Sequence, residues 1–323
     1  MIELIHKLSF AIIKKRKIME KITTVILISL MFQACSMKPK DADTSWIKNK
    51  HLDIAYSNES KAQKLDIYLP DTISENLPVI VSIHGGAFLF GDKADKQVVP
   101  MLEGVKRAYA VVSINYRLSD ESVFPAQIYD VKTAIRWIKA NANKFHFDST
   151  KIALWGGSAG GYLAALAGTS GGEAFESQTM NNPNISDKVQ AVVDWFGPIR
   201  FSEMDKQFKA SGKGDANHSE ANSPESKLLG KQLSDVPELE TRANPETYIS
   251  LDDPSFFIQH GTEDGYVPIE QSINFYNKLS EILGKDKVTF EILRGAKHGG
   301  EQFESKENIN KVFTFLDSVL KKE

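Results

Sequence analysis

The sequence predicts a doubly wound α/β domain on three observations. Two internal runs, Pro78-Val79-Ile80-Val81-Ser82-Ile83 and Ala110-Val111-Val112-Ser113-Ile114, are almost continuous in β-branched residues. That is the pattern of strands covered on both faces, and hence of a mostly parallel sheet. Segments with helical spacing stand between such runs. Lys151 to Leu166 reads as a buried strand, a one-residue corner at Ser158 and the opening of an apolar helix. At 323 residues and 41% hydrophobic, the chain can bury one large core.

In chain order, residues 1–34 read as a signal peptide. Lys14-Lys15-Arg16-Lys17 precedes the apolar stretch Ile22 to Phe32, which is shorter than the about 20 residues a bilayer crossing takes. Met19 is an alternative start. Cys35, the sole cysteine, stands directly behind the apolar stretch and before Ser36, which is similar to a bacterial lipoprotein cleavage site. This implies a lipid anchor at Cys35 and export to the periplasm, outer membrane or cell surface. With Cys35 lipidated no disulfide forms, so stability comes from the core. Met37 to Ser45 is polar and aperiodic, so residues 35–50 are expected as a lipidated tether and 51–323 as the folded domain. The formal net charge is −3, with both signs interspersed. Nucleic acid is therefore excluded as a partner.

Within the domain, His51–Tyr56 and Lys64–Leu69 alternate apolar with polar residues, as a hairpin exposed on one face would. The two β-branched runs supply the next two strands. Helical spacing follows over Lys96 to Arg107 and at Ile128, Val131, Ile135 and Ile138. Ile152–Trp155 and Val189–Phe196 continue the strands. The alternation then breaks: residues 201–249 are polar with scattered Leu and Met, and are expected as a cap insertion over the active site. Ser255–His260 and Val288–Leu293 complete eight strands, with a helix from Ser272 to Leu283 between them. Ile309, Val312, Phe313, Leu316, Val319 and Leu320 form the stripe of a closing helix.

Reactive groups in such a sheet collect at the carboxyl ends of strands. Gly156-Gly157-Ser158-Ala159-Gly160 is a strand-to-helix corner. Backbones crowd there, so Gly156 and Gly160 lack a Cβ, and Ser158 is held with its hydroxyl exposed, a geometry that suits an acyl-transfer nucleophile. The third strand ends in His84-Gly85-Gly86, whose N–H groups with that of Ala159 would form an oxyanion hole. The loops after the last two strands carry Asp264 and His298, which completes the order nucleophile, acid, base. Glu263 and Asp194 are rival acids; Asp264 is preferred because Gly265 follows it in a turn. His84 and His260 are expected to steady their own loops, Arg117 to pair with Asp130, and Trp155 and Trp195 to be core. No metal-ligand cluster or strand-linked G-x-G-x-x-G is present in the sequence, so no cofactor is expected.

These residues together resemble the α/β-hydrolase superfamily and its esterase branch with the His-Gly-Gly motif. The resemblance covers about residues 51 to 320 and includes Tyr116-Arg117, Phe124-Pro125-Ala126 and Asp264-Gly265-Tyr266-Val267-Pro268. The cap text Ser223-Pro224-Glu225-Ser226-Lys227-Leu228-Leu229-Gly230 looks like bacterial acetylxylan esterase and feruloyl esterase (BD-FAE-like) domains. Ala87 stands where many such esterases carry a third glycine, which leaves the pair of oxyanion donors open. The resemblance implies a serine ester hydrolase that removes acetyl or feruloyl groups from plant polysaccharide, with acylated carbohydrate as partner. An amide hydrolase on the same fold and a non-catalytic glycan-binding lipoprotein are the alternatives.

Overall fold

The computed structural model describes residues 41–172, 175 and 181–321. Its centre is one eight-stranded sheet in the order β1-β2-β4-β3-β5-β6-β7-β8. The strands are β1 (Asn49–Ala55), β2 (Lys64–Leu69), β3 (Leu77–Ile83), β4 (Ala110–Ile114), β5 (Phe147–Gly157), β6 (Ala191–Trp195), β7 (Ser255–Gly261) and β8 (Val288–Leu293). Pairing is antiparallel for β1–β2 and β2–β4 and parallel elsewhere. The β-branched runs lie at the middle of the sheet, where both faces of a strand are covered.

Each face has its own apolar layer because side chains alternate along a strand. Val79, Val81 and Ile83 point to one layer, Ile80 to the other. Helices α1 (Ala126–Ala140), α2 (Ala159–Thr169) and α6 (Ile269–Leu283) pack on the first layer through Ile128, Leu163 and Phe275. The closing helix α7 (Lys306–Leu320) lies on the second through Val312, Phe313 and Leu316. Between β6 and β7 the expected cap region forms α3 (Phe201–Ser211), α4 (Pro224–Leu229) and α5 (Pro237–Ala243).

Three expectations need correction. The tether drawn over 35–50 is folded in its second half: Ile47 is 2% exposed, Ala42 donates its N–H to the Ala94 carbonyl, and β1 begins at Asn49. A lone apolar residue among polar ones carries no periodicity, so the domain edge was invisible there. Second, β2 is not half exposed. It is buried between β1 and β4, and its polar Asp66 is met by the Lys93 ammonium at 3.1 Å and the Asp53 N–H at 2.7 Å. A buried charge with partners mimics a solvent-facing position in the pattern. Third, the segment 96–107 is broken into a short helix Val99–Leu102 flanked by 3₁₀ turns, with Pro100 in its first turn. The expected signal peptide, Met19 and Cys35 lie outside the described residues. No described helix is long and apolar enough to cross a membrane.

Candidate active site

Strand order decides which loops meet. Ile83 pairs with Gly156 across β3–β5, so the His84–Gly86 loop emerges beside the corner that carries Ser158. On the other side, Gly261 pairs with Leu293 across β7–β8, which sets the loops of Asp264 and His298 next to each other. The corner itself is tight. Ser158 has φ 57° and ψ −125°, an unfavourable backbone for any residue with a side chain. A Cβ on Gly156 would lie 2.4 Å from the Gly160 carbonyl oxygen, and one on Gly160 would lie 2.1 Å from that of Ile83.

Ser158 Oγ lies 2.9 Å from His298 Nε2, and His298 Nδ1 lies 2.8 Å from Asp264 Oδ2. A carboxylate only accepts, so Nδ1 carries the hydrogen and Nε2 is left to accept from the serine hydroxyl. The other oxygen of Asp264 accepts the N–H groups of Tyr266 at 2.8 Å and Val267 at 2.9 Å. Burial alone would raise the Asp264 pKa, but hydrogen bonds and charge from His260 and His298 outweigh it and hold the carboxyl well below the usual range. The acid beside the imidazole is therefore ionised.

The rival acids are occupied elsewhere. Glu263 faces solvent and pairs with Lys213 at 3.0 Å. Asp194 is fully buried, accepts the Gly197 N–H at 2.9 Å, and is pushed up to about 6 by burial. His84 is neutral, its pKa lowered by burial; its Nδ1 is 2.8 Å from its neighbour's carbonyl, and its ring stacks on Tyr116. His260 spans Ser272 Oγ at 2.7 Å and the Val267 carbonyl at 3.0 Å. Both histidines hold loops, as their strand-end positions suggested.

Of the three expected oxyanion donors, one needs correction. The Gly85 N–H donates to Gln97 Oε1 at 2.8 Å, so it is engaged. Gln97 comes from the 3₁₀ turn after the loop, a long-range contact that no motif announces. The Gly86 N–H has no hydrogen-bond acceptor among the described residues. Ala159 opens α2, where an N–H has no acceptor within its own helix.

Ser158 and His298 open on a cavity of about 640 Å³. Its wall includes Phe88, Phe196 and the cap residues His218 and Glu225, none of which the sequence marked as site residues. Trp195, expected as core, is 5% exposed and also borders the cavity, whereas Trp155 is fully buried.

The BD-FAE family model matches residues 65–279. LipM of Mycobacterium tuberculosis, a probable carboxylic ester hydrolase, is 31% identical over 255 residues, which is 76% of this chain and 55% of LipM. The chain thus spans about half the length of these curated relatives it matches. A solved truncated carbohydrate esterase from gut microbiota superposes with a TM-score of 0.77 at 30% identity, over 88% of this chain and 100% of that one. A bifunctional GH43-CE protein of Bacteroides eggerthii gives 0.74 at 35% identity, over 83% of this chain and 35% of that one. The sheet, its crossovers and the match to the family model agree: the chain has the α/β-hydrolase fold and belongs to the BD-FAE family.

Proposed function

We propose that the protein is a serine carboxylic ester hydrolase, with Ser158 as nucleophile, His298 as general base and acid, and Asp264 as the group that fixes the imidazole tautomer. One observation carries the reading: the unbroken run of hydrogen bonds from Ser158 Oγ through His298 to Asp264, at 2.9 and 2.8 Å. Ser158 Oγ attacks the ester carbonyl as His298 Nε2 takes its proton. The N–H groups of Gly86 and Ala159 hold the oxyanion, and His298 then protonates the departing alcohol. Water releases the acyl group by the same steps in reverse roles.

The substrate is an acylated carbohydrate, of the xylan type, and the acyl group is acetyl or feruloyl. Two facts support this. One solved relative is a carbohydrate esterase from gut microbiota and another is a bifunctional GH43-CE protein. Phe90 and Tyr266, 58% and 72% exposed, border the cavity as aromatic faces on which a sugar or phenyl ring can lie. The N-terminal sequence supports export and lipidation at Cys35, which would hold the enzyme at a membrane surface, facing the periplasm or the cell exterior. Turnover of p-nitrophenyl acetate tests the core of the reading. The Ser158→Ala protein is expected to lose on the order of 10⁶ in kcat; hydrolysis near the wild-type rate would refute it.

A further inference from the structure

The cap contributes a second imidazole–carboxyl pair to the same cavity. His218 Nδ1 is 3.1 Å from Glu225 Oε1. Glu225 is 4% exposed, borders the cavity, and its Oε2 has no hydrogen-bond partner among the described residues. The imidazole is pinned: its backbone N–H donates to Asp205 Oδ1 at 2.7 Å and its ring stacks on Phe208 at 5.5 Å. Burial pulls the His218 pKa down, but the hydrogen bond and charge of Glu225 outweigh it and raise it above the ordinary value. Imidazole and carboxyl are thus held together on the cap side of the cavity.

A pair that served only to tie the loop after α3 to α4 would use both carboxyl oxygens, as Asp205 does with the N–H groups of His218 and Ser219. A buried carboxyl oxygen left unpaired costs more than a hydrogen bond returns, so a ligand hydroxyl that reaches Oε2 from the cavity is strongly favoured. The unpartnered oxygen of Asp194 differs: that carboxyl is pushed up to about 6 and does not border the cavity. An imidazole and a carboxyl side by side on the cavity wall match two adjacent hydroxyls, one of them giving its hydrogen to Glu225.

We propose that Glu225 and His218 form the subsite that recognises the alcohol half of the ester, selecting a sugar with vicinal hydroxyls over a plain aryl or alkyl alcohol. The inference rests on the ester-hydrolase reading above, and the test separates the two.

The full-length protein is assayed on p-nitrophenyl acetate and on a monoacetylated methyl β-xyloside, and the ratio of the two kcat/KM values is taken. In Glu225→Gln the ratio, xyloside over p-nitrophenyl ester, is expected to fall about 10- to 100-fold, through KM for the xyloside. The unaltered protein is expected to show a similar fall when the hydroxyl next to the ester is replaced by hydrogen, a measurement that needs no variant to fold. A ratio within twofold of the original in both experiments, or an equal loss on both esters in the variant with no loss on the deoxy substrate, overturns the subsite while Ser158-dependent turnover of p-nitrophenyl acetate stands. Absence of turnover on either ester in the unaltered protein overturns both readings.

Discussion

Gln97 Oε1 accepts the Gly85 N–H at 2.8 Å, which leaves Gly86 as the glycine of that loop with an N–H to offer an oxyanion. Gly86 sits at φ +115°, and a Cβ there would lie 2.0 Å from the Phe90 carbonyl oxygen. Gly86→Ala must therefore move the backbone that carries the donor. A fall of about 10²–10³ in kcat with p-nitrophenyl acetate is expected. Gln97→Ala frees the Gly85 N–H instead of displacing Gly86, so its loss should stay below about tenfold.

Asp264→Asn keeps the size of the side chain but lets the amide face His298 with the wrong hydrogen pattern. Turnover is expected to fall by on the order of 10⁴ at neutral pH. Because the folded carboxyl titrates below its unfolded value of about 3.9, it adds stability above that pH and the contribution fades as pH falls through the folded value. Thermal melts should show the difference between wild type and variant shrinking as the pH drops below about 4.

Asp194 has the opposite sign. Burial pushes its carboxyl up to about 6, so the folded state holds a proton the unfolded chain has released. Stability attributable to this group falls as pH rises between about 4 and 6. Asp194→Asn retains the oxygen that accepts the Gly197 N–H. Its melting temperature relative to wild type should therefore be higher at pH 8 than at pH 4.

Arg117 reaches Asp130 through Nε at 2.9 Å, Nη2 at 2.6 Å and its own backbone N–H at 2.8 Å. Asp130 is fully buried and also accepts from Gln63 at 2.7 Å. Arg117→Ala leaves a buried carboxylate without its cation, and urea unfolding should show a loss of about 3–5 kcal/mol. The adjoining Tyr116 hydroxyl donates to the His84 carbonyl at 3.0 Å, so this pair stiffens the strand exit next to the Gly85–Gly86 loop.

Most of the scaffold was legible because buried parallel strands write long apolar runs and their ends are fixed by glycine and proline. Ser158, Asp264 and His298 were singled out from those ends, and the sheet, not local sequence, brings their distant loops together. Asp264 could be preferred over its neighbour Glu263 because Gly265 follows it in a turn, and that turn donates two N–H groups to one of its oxygens. What stayed hidden was set by reach across space. Gln97 meets Gly85 across twelve positions, and His218 and Glu225 sit in a segment whose mixed polarity follows no period. Asp66 misled in the other direction, since a buried ion pair reads like a solvent face.

At the corner, Gly160 lies so close to the Ile83 carbonyl that not even a methyl group fits between them. The serine turn and the amide-bearing loop are thus registered main chain to main chain, with no side chain as spacer. The cap is attached differently, as an excursion between two strands on the far side of that joint. On the proposed roles, natural or laboratory variation can accordingly rebuild the cap to accept new alcohols while the attacking oxygen and its anion cradle keep their alignment, a scaffold whose selectivity and reactivity would be inherited separately.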